Sequence, residues 1–98
     1  MEISGPLQQL LAVIEAAEER NRHAHKDLRE TKLQLGALMD ERTRLLAAGL
    51  KPTHRQFALL LREEGVAREE LELSRTEEAA AELELARAKA ALDRWLRG

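Results

Sequence analysis

From Leu7 onward the apolar positions advance in alternating steps of three and four residues: Leu7, Leu10, Ile14, Ala17, Asn21, Ala24, Leu28, Thr31, Leu35, Leu38, Arg42 and Leu45. That is a heptad seam held over about six repeats, beyond the three or four needed to specify a coiled-coil helix. A second seam keeps the same rhythm through Phe57, Leu60, Glu64, Ala67, Leu71, Ser74, Glu78, Ala81, Leu85, Ala88, Leu92 and Trp95. Away from its ends the d positions of this second seam, Ala67, Ser74, Ala81 and Ala88, are all small. Small side chains let a facing backbone come close, towards the short end of the roughly 8–10 Å range of helix separations. In the first seam, Leu11, Met39 and Leu46 at e positions widen the apolar face near both ends, while Glu18, His25 and Lys32 narrow it in the middle. Gly36 falls outside the seam and weakens the helix by about 1 kcal/mol relative to Ala without ending it.

Between the seams, residues 45–57 read LLAAGLKPTHRQF and carry the strongest stop and start signals in the chain. Gly49 is placed to close the first helix in the left-handed conformation, Leu50 to supply the apolar contact of such a cap, and Pro52 to prevent continuation. Thr53 and Gln56 have the spacing of a capping box that starts the second helix. At the other end, Met1–Ser4 reads as a loose end, and Gly5-Pro6 as an N-cap followed by the first helical position. The sequence therefore predicts helix 1 over about 6–48, a turn at 49–53 and helix 2 over about 54–97, together one helical-hairpin domain spanning 1–98.

Folding about residue 51 brings Leu45 to Phe57, Leu35 to Ala67, Ala17 to Leu85 and Leu7 to Trp95. Large then faces small in the interior and large faces large at both ends. Because the two seams are independent, this match favours an all-α, antiparallel two-helix coiled-coil hairpin over one continuous helix or a parallel dimer. Each arm of about 42 residues would run about 63 Å at the helical rise of 1.5 Å per residue.

Composition agrees with this architecture. Leu (19) and Ala (16) supply most of the 44% hydrophobic content, and charged residues make up 35%. Two Val and two Ile leave little material for strands. The 16 basic and 18 acidic residues are interspersed, so neither nucleic acid nor an anionic membrane is demanded as a partner. No cysteine is present, which excludes disulfides and thiolate metal sites. No apolar run approaches the roughly 18 residues of a membrane span, and the N-terminus lacks the pattern of a leader, so a cytoplasmic protein is expected.

Polar residues interrupt the seam at a few places. Asn21 and Glu78 sit at a positions within about a turn of each other in the hairpin register, with His25 beside them at e. Such a layer fixes register or partner number at some cost in stability. Arg42 and Glu64 are placed to pair near the turn, where their stems can extend to water and form a solvated ion pair. Glu19, His23 and Asp27 share a solvent-side face and read as a charge ladder rather than a metal site. No phosphate-binding loop, nucleophile elbow or zincin sequence occurs. The all-helical chorismate mutases assemble a site between such helices, but their spaced Arg and Lys pattern is not matched. The expectation is no catalytic residue, no metal, no cofactor and no small-molecule substrate.

Helix 2 also carries a second apolar row, Leu59, Val66, Leu73 and Ala80 at c positions, joined by Leu83. These project roughly opposite the a/d seam and cannot all be buried against helix 1. A lone hairpin with an Ala-rich seam also buries little surface against its ordering entropy, and association is the usual remedy. A non-enzymatic interaction module (adaptor, scaffold or chaperone-like hairpin) is the leading expectation. It would dimerise into a four-helix bundle or dock on a partner helix through that row.

Two alternatives come from other features. The turn AAGLKPTHRQF, the leucine-rich helix after it and Trp95 resemble the small helical-hairpin co-chaperones of bacterial type III secretion. The likeness covers residues 47–61 and Trp95, and it implies masking of an aggregation-prone needle subunit; the arms here are longer. The other alternative is nucleic-acid contact through the turn cations Arg42, Arg44, Lys51, His54 and Arg55, which Asp40, Glu41, Glu63 and Glu64 oppose.

Overall fold

A computed structural model describes residues 5–98, and the end expected to be loose at Met1–Ser4 lies outside the described residues. The chain forms an all-α, antiparallel two-helix hairpin of α1 (Pro6–Ala47) and α2 (Arg55–Arg97).

Each helix end has a local cause. At the start of α1 the Gly5 carbonyl accepts from Gln9 N–H at 3.2 Å, which makes Gly5 the cap and Pro6 the first helical residue, where a missing N–H costs nothing. At its end Gly49 adopts φ +86°. Gly49 N–H donates to the Leu46 carbonyl and Leu50 N–H to the Leu45 carbonyl, both at 3.0 Å, the paired bonds of a Schellman cap. Leu50 is half-buried beside it.

The start of α2 differs from the expected Thr53–Gln56 box. His54 N–H donates to the Lys51 carbonyl at 2.9 Å, closing a turn with Pro52 at its second position. That turn carries the chain one residue past Thr53 before the helix begins. His54 is the cap: its carbonyl accepts from Ala58 N–H, and its Nδ1 accepts from Gln56 N–H at 3.1 Å. Gln56 thus takes part through its backbone, and the exposed Thr53 belongs to the turn.

Contacts divide the hairpin into two units, residues 27–75 and residues 5–26 with 76–98. In the first, which holds the turn, Leu28 and Leu35 of α1 and Phe57, Leu60 and Ala67 of α2 form the buried seam. Thr31 and Ser74 bring their hydroxyls within 3.4 Å there, and Thr31 also donates to the Asp27 carbonyl at 2.8 Å. In the second unit, Ile14, Ala17 and Ala88 form the buried cluster, with Leu85 and Leu92 packed against it. Every seam position from Leu7 to Leu92 is buried or half-buried, and the small d residues Ala67 and Ala81 are among the most enclosed. The pairs Thr31–Ser74, Arg42–Glu64 and His25–Glu78 all lie within about a turn of the register expected from folding about residue 51.

At the margins the seam opens to solvent: Trp95, placed opposite Leu7 by the register, is 44% exposed, and the e residues Leu11, Met39 and Leu46 are exposed beside the seam of α1.

Gly36 and Gly65 lie inside helices, and a Cβ at either would meet nothing within 4 Å. Gly36→Ala and Gly65→Ala are each expected to stabilise the hairpin by about 1 kcal/mol. The double variant should melt several degrees higher by circular dichroism.

Candidate partner-binding surface

Positions a and d of α2 face α1, which turns the c positions outward. In the unit of residues 27–75, Leu59, Val66 and Leu73 are all exposed, Leu73 by 71%. Leu73 edges a shallow depression with Asp27, Glu30, Thr31 and Glu70, and Val66 edges another with Gln34, Leu38 and Arg62. Carboxylates, a guanidinium group and an amide thus border these apolar side chains. Leu33 and Leu61 are exposed in the same unit.

In the unit of residues 5–26 and 76–98, Ala80 and Leu83 are exposed and line an open groove of about 560 Å³. Val13 and Ala91 complete its apolar part, and Arg20, Glu84 and Arg87 border it. Val13 was not among the residues expected from the α2 row. Its position just outside the α1 seam was the available signal, but only the facing helix shows that it shares a groove with Leu83. Leu96 is exposed near the end of α2.

Cross-helix ion pairs frame this second unit. Arg20 donates from Nε and Nη2 to Glu77 Oε1 at 3.0 and 2.8 Å, and from Nη1 to Glu84. His25 Nδ1 lies 2.6 Å from Glu78 Oε2, and its Nε2 lies 3.7 Å from Glu82 Oε1. Asn21, the third residue of the expected polar layer, is half-buried, and its Oδ1 is buried with no hydrogen-bond partner. The structure therefore brings His25 and Glu78 together, adds Glu82, and leaves Asn21 unbonded at its carbonyl oxygen.

Arg42 and Glu64 depart from the solvated pair expected of them. Glu64 is only 2% exposed, and its carboxylate has Arg42 Nη1 at 3.6 Å and Arg68 Nη2 at 3.9 Å but no hydrogen bond. The guanidinium of Arg42 reaches water while the shorter acid does not. Among the turn cations, Arg44 is held by Glu41 on its own helix, and the His54 ring serves the α2 cap.

Exposed pairs on single helices include Arg22–Glu19, His23–Glu19 at 3.1 Å and Arg97–Asp93 at 3.0 Å. The hydrogen bond from Arg22 holds the Glu19 carboxyl below its ordinary range, and Arg44 does the same for Glu41. Such depressed carboxylates add stability that is present above their unfolded values and lost as pH falls, and solvent screening at these surface positions keeps that contribution small.

No helix among the described residues is long and apolar enough to cross a membrane. Comparison with protein-family models, curated proteins and solved structures gave no match. The likeness of residues 47–61 and Trp95 to secretion co-chaperones gains no support from them.

Proposed function

We propose that this hairpin is a non-enzymatic protein–protein interaction module that acts through the outward row of α2, and that a second copy of the chain is its first partner. The observation that carries this reading is the exposure of Leu59, Val66 and Leu73, which recur every seven residues on the helix side turned away from the seam. A seven-residue interval is the interval at which a neighbouring helix can accept side chains along its whole length. Scattered surface leucines need no explanation, but apolar residues repeating at one helical phase are the pattern of an interface. Full burial of a Leu or Val side chain is worth about 1.5–3 kcal/mol relative to exposure, so covering these half-exposed residues on both partners would contribute several kcal/mol. Two hairpins joined this way would form a closed, two-fold four-helix bundle.

Size-exclusion chromatography with light scattering over a concentration series tests this. The wild-type chain of 11.1 kDa is expected at about twice that mass, and Leu73→Glu at the monomer mass. A wild-type monomer at all concentrations, or a dimer indifferent to Leu73→Glu and Val66→Glu, would contradict the reading.

A further inference from the structure

The flank of the hairpin bearing His25, Glu78 and Glu82 has the most concentrated ligand chemistry outside the apolar faces. Glu78 and Glu82 stand one turn apart on α2, and the His25 ring projects from α1 with a nitrogen towards each of them. One donor atom from each of the three residues can be chosen so that all lie within 4.8 Å of one another. Imidazole nitrogen and carboxylate oxygen bind zinc at about 2.0–2.2 Å, which places donors around one ion about 3.4 Å apart in tetrahedral geometry. Closing from the observed spacing to that one requires these partly exposed side chains to rotate so that both carboxylates meet at one nitrogen of the ring.

We infer that His25, Glu78 and Glu82 form a site for a transition-metal dication of the zinc class, which ties α1 to α2, with water completing the coordination. The site is independent of the partner-binding reading.

Two observations select this cluster over the many other surface acids. First, like charges four residues apart on a helix repel, and Glu78 is in the seam with its side chain only 24% exposed, so a dication relieves repulsion that solvent screens incompletely. Second, the neighbouring carboxylates already have guanidinium partners: Glu77 and Glu84 share Arg20, and Glu19 has Arg22. Among the described residues His25 is the one basic group at ion-pair distance from Glu78 and Glu82. The donor set also selects the ion. An imidazole with two carboxylates suits zinc and its neighbours, whereas magnesium and calcium take oxygen ligands.

Isothermal titration of the full chain with zinc chloride at neutral pH, in a buffer that does not chelate, tests the site. One ion per chain is expected, with a rise in thermal midpoint. His25→Ala and Glu82→Gln should each weaken binding by about tenfold or more, since even groups that only orient metal ligands are worth about 10–100-fold. Glu82 is exposed, so its variant keeps the fold, and unchanged far-ultraviolet circular dichroism confirms that. His23→Ala removes the other histidine of α1 and should leave binding unchanged. The inference is overturned by no binding heat, by affinity that survives both His25→Ala and Glu82→Gln, by affinity that vanishes with His23→Ala, or by equal binding of magnesium. A stoichiometry of one ion per two chains would also overturn it, because the ligands would then come from different copies.

Discussion

Replacing Glu64 with Met is expected to make the hairpin more stable by about 1–4 kcal/mol, the range for exchanging a buried ion pair for apolar residues, because the Arg42 left behind is part-exposed and stays solvated. Glu64 occupies a seam position, is 2% exposed, and has both carboxylate oxygens buried without a hydrogen bond. Its counter-charges, Arg42 at 3.6 Å and Arg68 at 3.9 Å, are near enough for Coulomb attraction but too far for hydrogen bonding. Desolvation of the carboxylate is therefore only partly offset, and Met removes the charge while filling the same space. Arg42→Met should act in the opposite direction and destabilise by about 1–3 kcal/mol, because it strips the nearer counter-charge from a group that stays buried. The loss is held below the usual range by Arg68, which remains. Urea unfolding gives both signs directly as shifts in midpoint at constant slope. A less stable Glu64→Met would mean that the ion pair outweighs the desolvation.

Phe57→Ala is expected to cost about 3–5 kcal/mol, the range for emptying a buried aromatic site. Phe57 is 6% exposed at the turn end of the seam, where α2 has just begun, and no other aromatic residue is near it in the sequence. Leu73→Ala at a 71% exposed position should stay within about 0.5 kcal/mol in a dilute monomeric sample. The contrast separates the two apolar rows of α2: one is buried against α1, and the other is exposed. If Leu73→Ala instead costs stability that grows with protein concentration, its surface is covered in solution, as the proposed dimer requires.

Much of this molecule follows from short-range rules. Helix limits could be read because Gly5-Pro6 and Gly49 act through backbone geometry within a few residues. The seam could be read because a heptad rhythm sustained over both arms has one compact solution, and two independent seams matched end to end only in the antiparallel hairpin. Even so, the α2 cap moved from Thr53 to His54, since a turn hydrogen bond between Lys51 and His54 competed with the expected box.

The sequence alone determined two amphipathic helices, where they turn, which residues meet along the seam and which row of α2 has no place against α1. Those properties depend on periodicity and on local backbone chemistry, and both are written along the chain. Tertiary structure alone decided that Glu64 is dry while Arg42 reaches water, that His25 extends to Glu82 as well as Glu78, that Val13 joins Leu83 across the helices, and that Trp95 stays exposed where the seam runs out. Each of these depends on side-chain reach across the gap between helices and on what stands opposite, which no spacing within one helix can specify.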